Sequence, residues 1–382
     1  MFDNSPVLYR GSVKNVRGVV SDPSLIFEFS DRFSVFDWGE MPNELQEKGK
    51  SLAIMGKCFF RHFENTHYWK ELKDSDLLKK HFDSTFLDSL WKSTTFQKFC
   101  NEGLSHHAVL DDKNIGWDTP FLKVKNIDIH RPVITDGSYD YSFYQNNPTN
   151  CLVPLEVIYR IGLAPGNSLS KRLGSNLEAW KNYGFKEIPG EGIIPFPIID
   201  FSTKLEPGDR YLSSLEAKGL ANLSTNEFDE LVRLTQLVAL NLFVFHNEID
   251  LLLWDGKIEL AWTEDSLGRR RFMLVDSVGI DEIRLTHKGK SFSKEFLREF
   301  YKNSSWYRNL ESAKNESLHI GMNFKTICLE KYLSSPESLD DFTKTKAKAI
   351  YKSYANEVSM KVLGINFFES NFNLAQYSKR YL

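Results

Sequence analysis

An acid, a base and a second acid recur at a spacing of two in Asp255, Lys257 and Glu259, within the stretch 249–284. A further acid, Asp276, closes the next apolar run, and Asp281 and Arg284 follow it closely. In a β-strand, residues two apart point to the same side, so the first three would share one face. With residues 265–268 as the turn, a second strand returns antiparallel over about 270–276. A symmetric register then sets Asp276 diagonally across from Glu259 on that face, roughly 7–8 Å between Cβ atoms. Two carboxylates so placed can share one divalent cation with phosphate oxygens. A one-residue slip turns one of them away, and a surface hairpin decorated with charges has the same spacing.

Three other places gather polar chemistry. A β segment over 151–160 ends at Arg160, and a glycine-bearing loop leads from it to Ser168 and the basic pair Lys171 and Arg172. An arginine, a hydroxyl and two cations around such a loop suit a phosphate; a basic helix start on the surface reads equally well. Near the beginning, two short β segments flank Gly11-Ser12-Val13-Lys14. A small residue at a bend lets backbone N–H groups approach an anion, with Lys14 adding charge, although a plain hairpin also fits. Asp31-Arg32-Phe33-Ser34-Val35-Phe36-Asp37 sets two acids, a base and a hydroxyl around aromatics, in a turn leading into a loop. His106-His107 has no third ligand at a helpful spacing, so no metal site is expected there.

The elements that must carry these residues are read from period and punctuation. Residues 51–100 turn helical, with apolar positions spaced for two or three amphipathic helices. Residues 111–150 are loop-rich and form the expected connection or lid. Residues 195–201 read as a strand followed by a polar loop over 202–210. The clearest helix runs from 226 to about 246, where Ser224 and Glu227 fit a capping box and the apolar residues keep one face. Helices are expected at 292–300, 306–333 and 341–363, while 366–382 has no clear period and no internal repeat is evident. The expected division is a β-rich lobe with a helical insertion over 1–150, a larger binding lobe over 151–300 and a helical extension over 301–382.

The chain has 382 residues, 41% hydrophobic and 26% charged, which suits a globular protein of two or three packed units. A net charge of −3 offers no attraction to nucleic acid or to an acidic membrane surface. No apolar run approaches the ~18–20 residues of a membrane span, and the first residues lack the pattern of a signal peptide. The four cysteines, at 58, 100, 151 and 328, show no metal-ligand spacing and no disulfide framework. A cytoplasmic protein with reduced thiols is expected, and a homo-oligomer is compatible with everything above.

In this order, the segments resemble the SAICAR synthetases, ATP-dependent ligases of purine biosynthesis. LYRGSVK at 8–14 is similar to the family's LYxGKxK, and DRFSVFD at 31–37 to its DRISAFD. VPLEVIYR at 153–160 with GNSLSKRLG at 166–174 resembles VPxExVVR…GSLxKRLG. DGKIE at 255–259 matches DxKxE, and DSVGIDEIR at 276–284 is similar to DExxxPDxxR. The likeness covers roughly 8–60 and 150–300. It implies an α+β fold of two lobes, antiparallel sheets flanked by helices, with additional helices here. By resemblance, Gly11, Ser12, Lys14 and Glu156 would hold ATP, and Glu259 and Asp276 would hold Mg²⁺. Lys257 would join those two carboxylates as the catalytic group. Arg160, Ser168, Lys171, Arg172 and Arg284, with Asp31, Arg32, Ser34 and Asp37, would bind the small-molecule substrates. The chain departs from the family pattern at Ser12, Ser277, Thr286-His287 and after Gly49, and it carries inserted segments at about 64–100 and 126–150.

The implied reaction is the condensation of an aminoimidazole ribonucleotide carboxylate with aspartate. A carboxylate does not acylate an amine, because its leaving group would be oxide; phosphorylation by ATP gives an acyl phosphate that does. Cations that hold two anionic substrates together supply proximity, and no nucleophilic Ser or Cys is needed. The same residue types would serve a ligase joining a different acid and amine in a specialised pathway such as glycan or secondary-metabolite tailoring. They would also persist in a nucleotide-binding relative that has lost catalysis.

Overall fold

The computed structural model describes residues 5–135 and 137–382. Two compact units are assembled from interleaved pieces of chain. The first takes the chain through Cys58, then Val109–Asn126 and Lys290–Leu382; the second takes Phe59–Ala108 and Ile127–Gly289.

The first unit holds an antiparallel sheet of β1 (Val7–Arg10), β2 (Lys14–Arg17), β3 (Ser24–Phe29) and β4 (Phe121–Lys125), in that spatial order. The glycine turn joins β1 to β2, where the Gly11 N–H donates to the Lys14 carbonyl at 2.9 Å. The helices Glu295–Lys302, Ser305–Ile320, Asp341–Leu363 and Leu374–Tyr381 belong to the same unit. Trp306 is buried edge-on against Trp38 and Tyr301, each at 5.3 Å between ring centroids. Residues 366–373 are organised by a side chain rather than a pattern, and the helix Leu374–Tyr381 that follows is one the sequence reading does not expect. The Asn356 amide donates to the carbonyls of Phe368 and Phe372 and accepts from the N–H groups of Phe367 and Phe368.

The second unit carries a small hairpin, β5 (Val133–Thr135) with β6 (Ser138–Asp140), and a larger antiparallel sheet. That sheet is built from β7 (Cys151–Leu163), β8 (Gly192–Thr203), β9 (Tyr211–Leu212), β10 (Leu252–Glu264), β11 (Arg270–Val275) and β12 (Ile283–His287). The spatial order within this unit is β12-β10-β7-β8-β9, and β11 pairs with the second half of β10. Central β7 is buried along nearly its whole length. The helix Thr225–Asn247 packs on β7, β8 and β10, and it opens with the capping box formed by Ser224 and Glu227, as the sequence predicts. Fully burying each of its leucines and phenylalanines contributes about 1.5–3 kcal/mol.

Residues 48–102 form five helices, a long one over Lys48–Glu64 and four short ones after it, more than the two or three expected over 51–100. Asn65, Ser75, Asp83 and Ser93 each accept an N–H at a helix start, so every one of these polar residues begins a new helix. The β10–β11 register also differs from the symmetric expectation. Glu264 pairs with Arg270 and Glu259 with Val275, one residue away from the predicted alignment. The cause is the turn: Asp265 N–H donates to the Arg269 carbonyl at 2.9 Å, leaving a three-residue loop that ends at Gly268 with φ +70°. Such loops need a left-handed residue in third place, which glycine adopts without strain.

Candidate active site

The register of the larger sheet gathers the charged residues. Glu259 on β10 lies directly opposite Glu156 on β7, and Asp255 opposite Arg160. On the other edge of β10, Asp255 is also opposite Arg284 of β12. Because side chains alternate along a strand, Asp255, Lys257 and Glu259 share a face, as their spacing predicts.

Like charges directly opposite each other destabilise a sheet, and the pair Glu156–Glu259 is buried, at 5% and 6% exposure. Two lysines resolve this. Lys204 sits 2.6 Å from the Glu259 carboxylate and 3.1 Å from that of Glu156, and Lys257 donates to Glu156 at 2.5 Å. Burial alone would depress both ammonium groups, but the two carboxylates outweigh it and hold each pKa above the ordinary lysine value. In the sequence Lys204 is one residue of a polar loop; its role depends on β8 lying beside β7, which local sequence does not disclose.

Four residues further along the same strands stands a second cluster. The buried Arg160 guanidinium contacts Asp200 and Ser168 Oγ, each at 3.2 Å, and approaches Asp255 at 3.7 Å. Arg284 reaches the same Asp255 oxygen at 3.7 Å. Arg172 also pairs with Asp200, and its guanidinium stacks 3.7 Å from the Tyr211 ring centre. Tyr183 OH donates to the second Asp200 oxygen at 3.2 Å. Arg160, Ser168, Arg172 and Arg284 are therefore brought together as the sequence suggests, while Lys171 is exposed on the helix Ser168–Leu173. That helix rests on a separate apolar cluster in which Leu169, Trp180 and Ile198 are buried. Asp200, which aligns both arginines, was missed because it lies in the middle of an apolar strand.

The remaining predicted residues belong to the first unit. Asp31 accepts from Glu47 N–H and Gly49 N–H, both at 3.0 Å, and so caps the helix Lys48–Glu64. Arg32 is buried and donates to the Gly11 carbonyl at 3.0 Å and to Asn15 Oδ1 at 2.8 Å, clasping the glycine turn. Gly11 and Ser12 are half-buried in that turn, and Lys14 lies over the Phe27 ring at 4.3 Å. Ser34 is half-buried, and exposed Asp37 pairs with Lys314 at 3.2 Å. Phe36 and Asp37 both have positive φ, 57° and 61°, a conformation that costs side-chain-bearing residues energy and persists only where surroundings enforce it.

The SAICAR synthetase family profile matches residues 7–113 and 145–313 of this chain. The chain belongs to the SAICAR synthetase family. A relative described as a putative phosphoribosylaminoimidazole-succinocarboxamide synthase, from Archaeoglobus fulgidus, is 31% identical over 90% of this chain and 89% of its own length. The phosphoribosylaminoimidazole-succinocarboxamide synthase of Thermoplasma volcanium is 25% identical over 82% of this chain and 88% of its own. Among solved structures, the SAICAR synthase of Saccharomyces cerevisiae complexed with SAICAR aligns with a TM-score of 0.53 and 18% identity, covering 96% of this chain and 97% of that one. That likeness shows the same α+β fold with antiparallel sheets. As a SAICAR synthetase, the chain is an ATP-dependent carbon–nitrogen ligase of purine biosynthesis. Two of its departures from the family pattern have structural partners: Thr286 Oγ1 accepts from Trp254 Nε1 at 3.0 Å, and His287 Nδ1 donates to the Asp250 carbonyl at 2.8 Å.

Proposed function

We propose that the two charge clusters on the larger sheet divide the work of ligation. The carboxylate–lysine group, Glu156, Lys204, Lys257 and Glu259, handles phosphoryl transfer. The arginine group, Arg160, Arg172 and Arg284 with Ser168, holds the phosphate of the ribonucleotide acid. The observation that carries this reading is their spacing: four residues along paired strands, about 13 Å, on the order of the length of a nucleotide. Three arginines against Asp200 and Asp255 leave one positive charge for an anion, in a forked geometry suited to phosphate oxygens.

The residues fit Mg²⁺. Val275 takes the position directly opposite Glu259, so strict alternation would turn Asp276 away; its φ of +65° breaks that alternation, and both acids offer hard oxygen donors. Among the described residues no three or more His, Cys, Asp or Glu side chains form a cage. Mg²⁺ is usually bound by one or two carboxylates with phosphate oxygens and water completing the shell, so Glu259 and Asp276 would hold it. When bound, it would neutralise charge on the transferring phosphoryl group. Lys257, charged at neutral pH and half-exposed, would steady the acid's carboxylate as its oxygen attacks the γ-phosphorus and ADP leaves. The amine of aspartate then attacks the acyl carbon, expelling phosphate and losing a proton. Gly11, Ser12 and Lys14 would hold ATP phosphates, Glu156 orients Lys257, and Asp31 and Arg32 support the loops that carry the turn. We place the reaction in the cytoplasm, in keeping with the free thiols of Cys58, Cys100, Cys151 and Cys328.

The test is turnover. Protein with Mg-ATP is offered the aminoimidazole carboxylate ribonucleotide and aspartate, then other acids and amines, while ADP and phosphate are followed. Release with the purine pair is expected; release only with another pair overturns the substrate assignment.

A further inference from the structure

The β11 strand is paired on both edges at its end. Opposite β10, the segment following Gly103 runs alongside it: His106 forms a parallel bridge with Leu274, whose N–H donates to the Ser105 carbonyl at 2.9 Å. The His107 N–H returns the pairing to the Leu274 carbonyl at 3.0 Å. Two residues further on, His107 Nε2 lies 3.0 Å from the Asp276 carbonyl oxygen. A carbonyl only accepts, so Nε2 carries the hydrogen. The imidazole is 2% exposed and packs edge-on against buried Phe60 at 5.6 Å between ring centres. The segment itself has a fixed origin. Gly103, with φ +74°, lies so close to the Glu64 carbonyl that a Cβ would stand 2.2 Å from its oxygen, and Leu104 N–H is held by Phe63 at 2.9 Å.

Asp276 has φ +65°. Strict strand alternation would send it to the face opposite Glu259, because Val275 occupies the position across from Glu259. A left-handed residue breaks that alternation, and an aspartate holds such a conformation only where its surroundings fix it. We propose that His107 is a positioning residue for Asp276: its Nε2–H holds the Asp276 carbonyl, locks the left-handed break, and so aims the carboxylate toward the Mg-ATP site with Glu259. This inference rests on the assignment of Asp276 to the metal above. His107 belongs to the histidine pair that the ligation chemistry itself leaves unused.

The experiment compares His107→Leu, which keeps bulk but loses the donor, with His107→Gln, whose side-chain amide can replace it, and Asp276→Asn. ADP binding is measured by calorimetry with and without Mg²⁺, alongside kcat and KM for ATP, with near-ultraviolet circular dichroism for the fold. His107→Leu is expected to lose about tenfold or more of the Mg²⁺-dependent gain in ADP affinity and a similar factor in kcat. Metal-free ADP binding should stay unchanged, and Gln should restore most of the loss. Should the leucine variant not fold, His107→Asn, a shorter donor, takes its place in the same comparison. If Asp276→Asn loses the metal gain but His107→Leu retains it, the positioning role is overturned while the metal assignment stands. If Asp276→Asn retains the gain, the metal assignment fails and the positioning role with it. A glutamine variant as impaired as leucine, with both folded, also overturns the inference.

Discussion

Replacing Lys204 by methionine isolates the buried glutamate pair. Methionine keeps the length and apolar stem of lysine, so packing changes little and charge changes by one. In the parent protein Lys204 contacts Glu259 at 2.6 Å and Glu156 at 3.1 Å. Its side chain is 26% exposed, and the two carboxylates lie opposite each other on adjacent strands. Their Cβ atoms are then about 5 Å apart, and at an effective dielectric of about 20 two charges at that distance repel by roughly 3 kcal/mol. Lys257 offsets part of this, whereas losing one member of a buried ion pair adds cost, about 3–5 kcal/mol in comparable sites. The expected loss at pH 8 is about 3 kcal/mol. Its pH dependence has a definite sign. In the variant, repulsion raises a glutamate pKa in the folded state above its unfolded value, so the folded state binds more protons, and the deficit shrinks as pH falls toward 5. The parent behaves differently: burial opposes the Lys204 charge but Glu259 and Glu156 raise its pKa. Its contribution is therefore complete below the unfolded lysine pKa and is lost only as pH rises through the folded one. Equilibrium urea unfolding at pH 8 and pH 5.5 reads both effects, and adding Glu156→Gln should recover most of the loss. A deficit below about 0.5 kcal/mol at pH 8, or one equal at both pH values, refutes the reasoning.

Other consequences are open to direct measurement. Arg284→Gln removes a half-buried cation that approaches Asp255 at 3.7 Å. It should raise KM for the ribonucleotide acid by about tenfold or more with stability nearly unchanged, and an unaltered KM would remove Arg284 from the phosphate site. Arg160→Met should also cost stability, about 3 kcal/mol, because it removes a buried cation from Asp200 and Asp255 and leaves Asp200 with Arg172 as its one arginine; thermal unfolding distinguishes the two arginines. Lys57 is buried with its ammonium 2.9 Å from the Gly116 carbonyl, and burial lowers its pKa to about 8. Between pH 8 and about 10.5 the unfolded chain holds the proton that the folded chain has released, so parent stability should rise with pH across that window, by up to about 3 kcal/mol. Lys57→Met should flatten the rise, and a parent curve already flat there would contradict the assignment.

The legibility of this chain follows the range of the interactions involved. The capping box at Ser224 and the shared face of Asp255, Lys257 and Glu259 are local, and both were readable from spacing. Asn65, Ser75, Asp83 and Ser93 each start a helix by accepting an N–H, but apolar period alone does not mark such breaks, so the five helices over 48–102 read as two or three. The hairpin register slipped by one because the loop length was judged from symmetry, while Gly268 in third place selects the three-residue loop. Asp200 and Lys204 could not be found locally, since their meaning arises from strands separated by long stretches of chain: Asp200 sits opposite Ile158, on the same face as Arg160. Asp31 and Arg32 stood out through the family likeness, and their cap and clasp appear only when the helix and glycine turn are folded against them.

The central claim is that ATP activates the acid as an acyl phosphate before the amine attacks. An aminoimidazole ribonucleotide acid carrying ¹⁸O in both carboxylate oxygens, incubated with the protein, Mg-ATP and aspartate, tests it most directly. The account predicts that each amide formed releases one inorganic phosphate bearing a single ¹⁸O, with one ADP. Phosphate free of label, or label released into water or AMP, would contradict it.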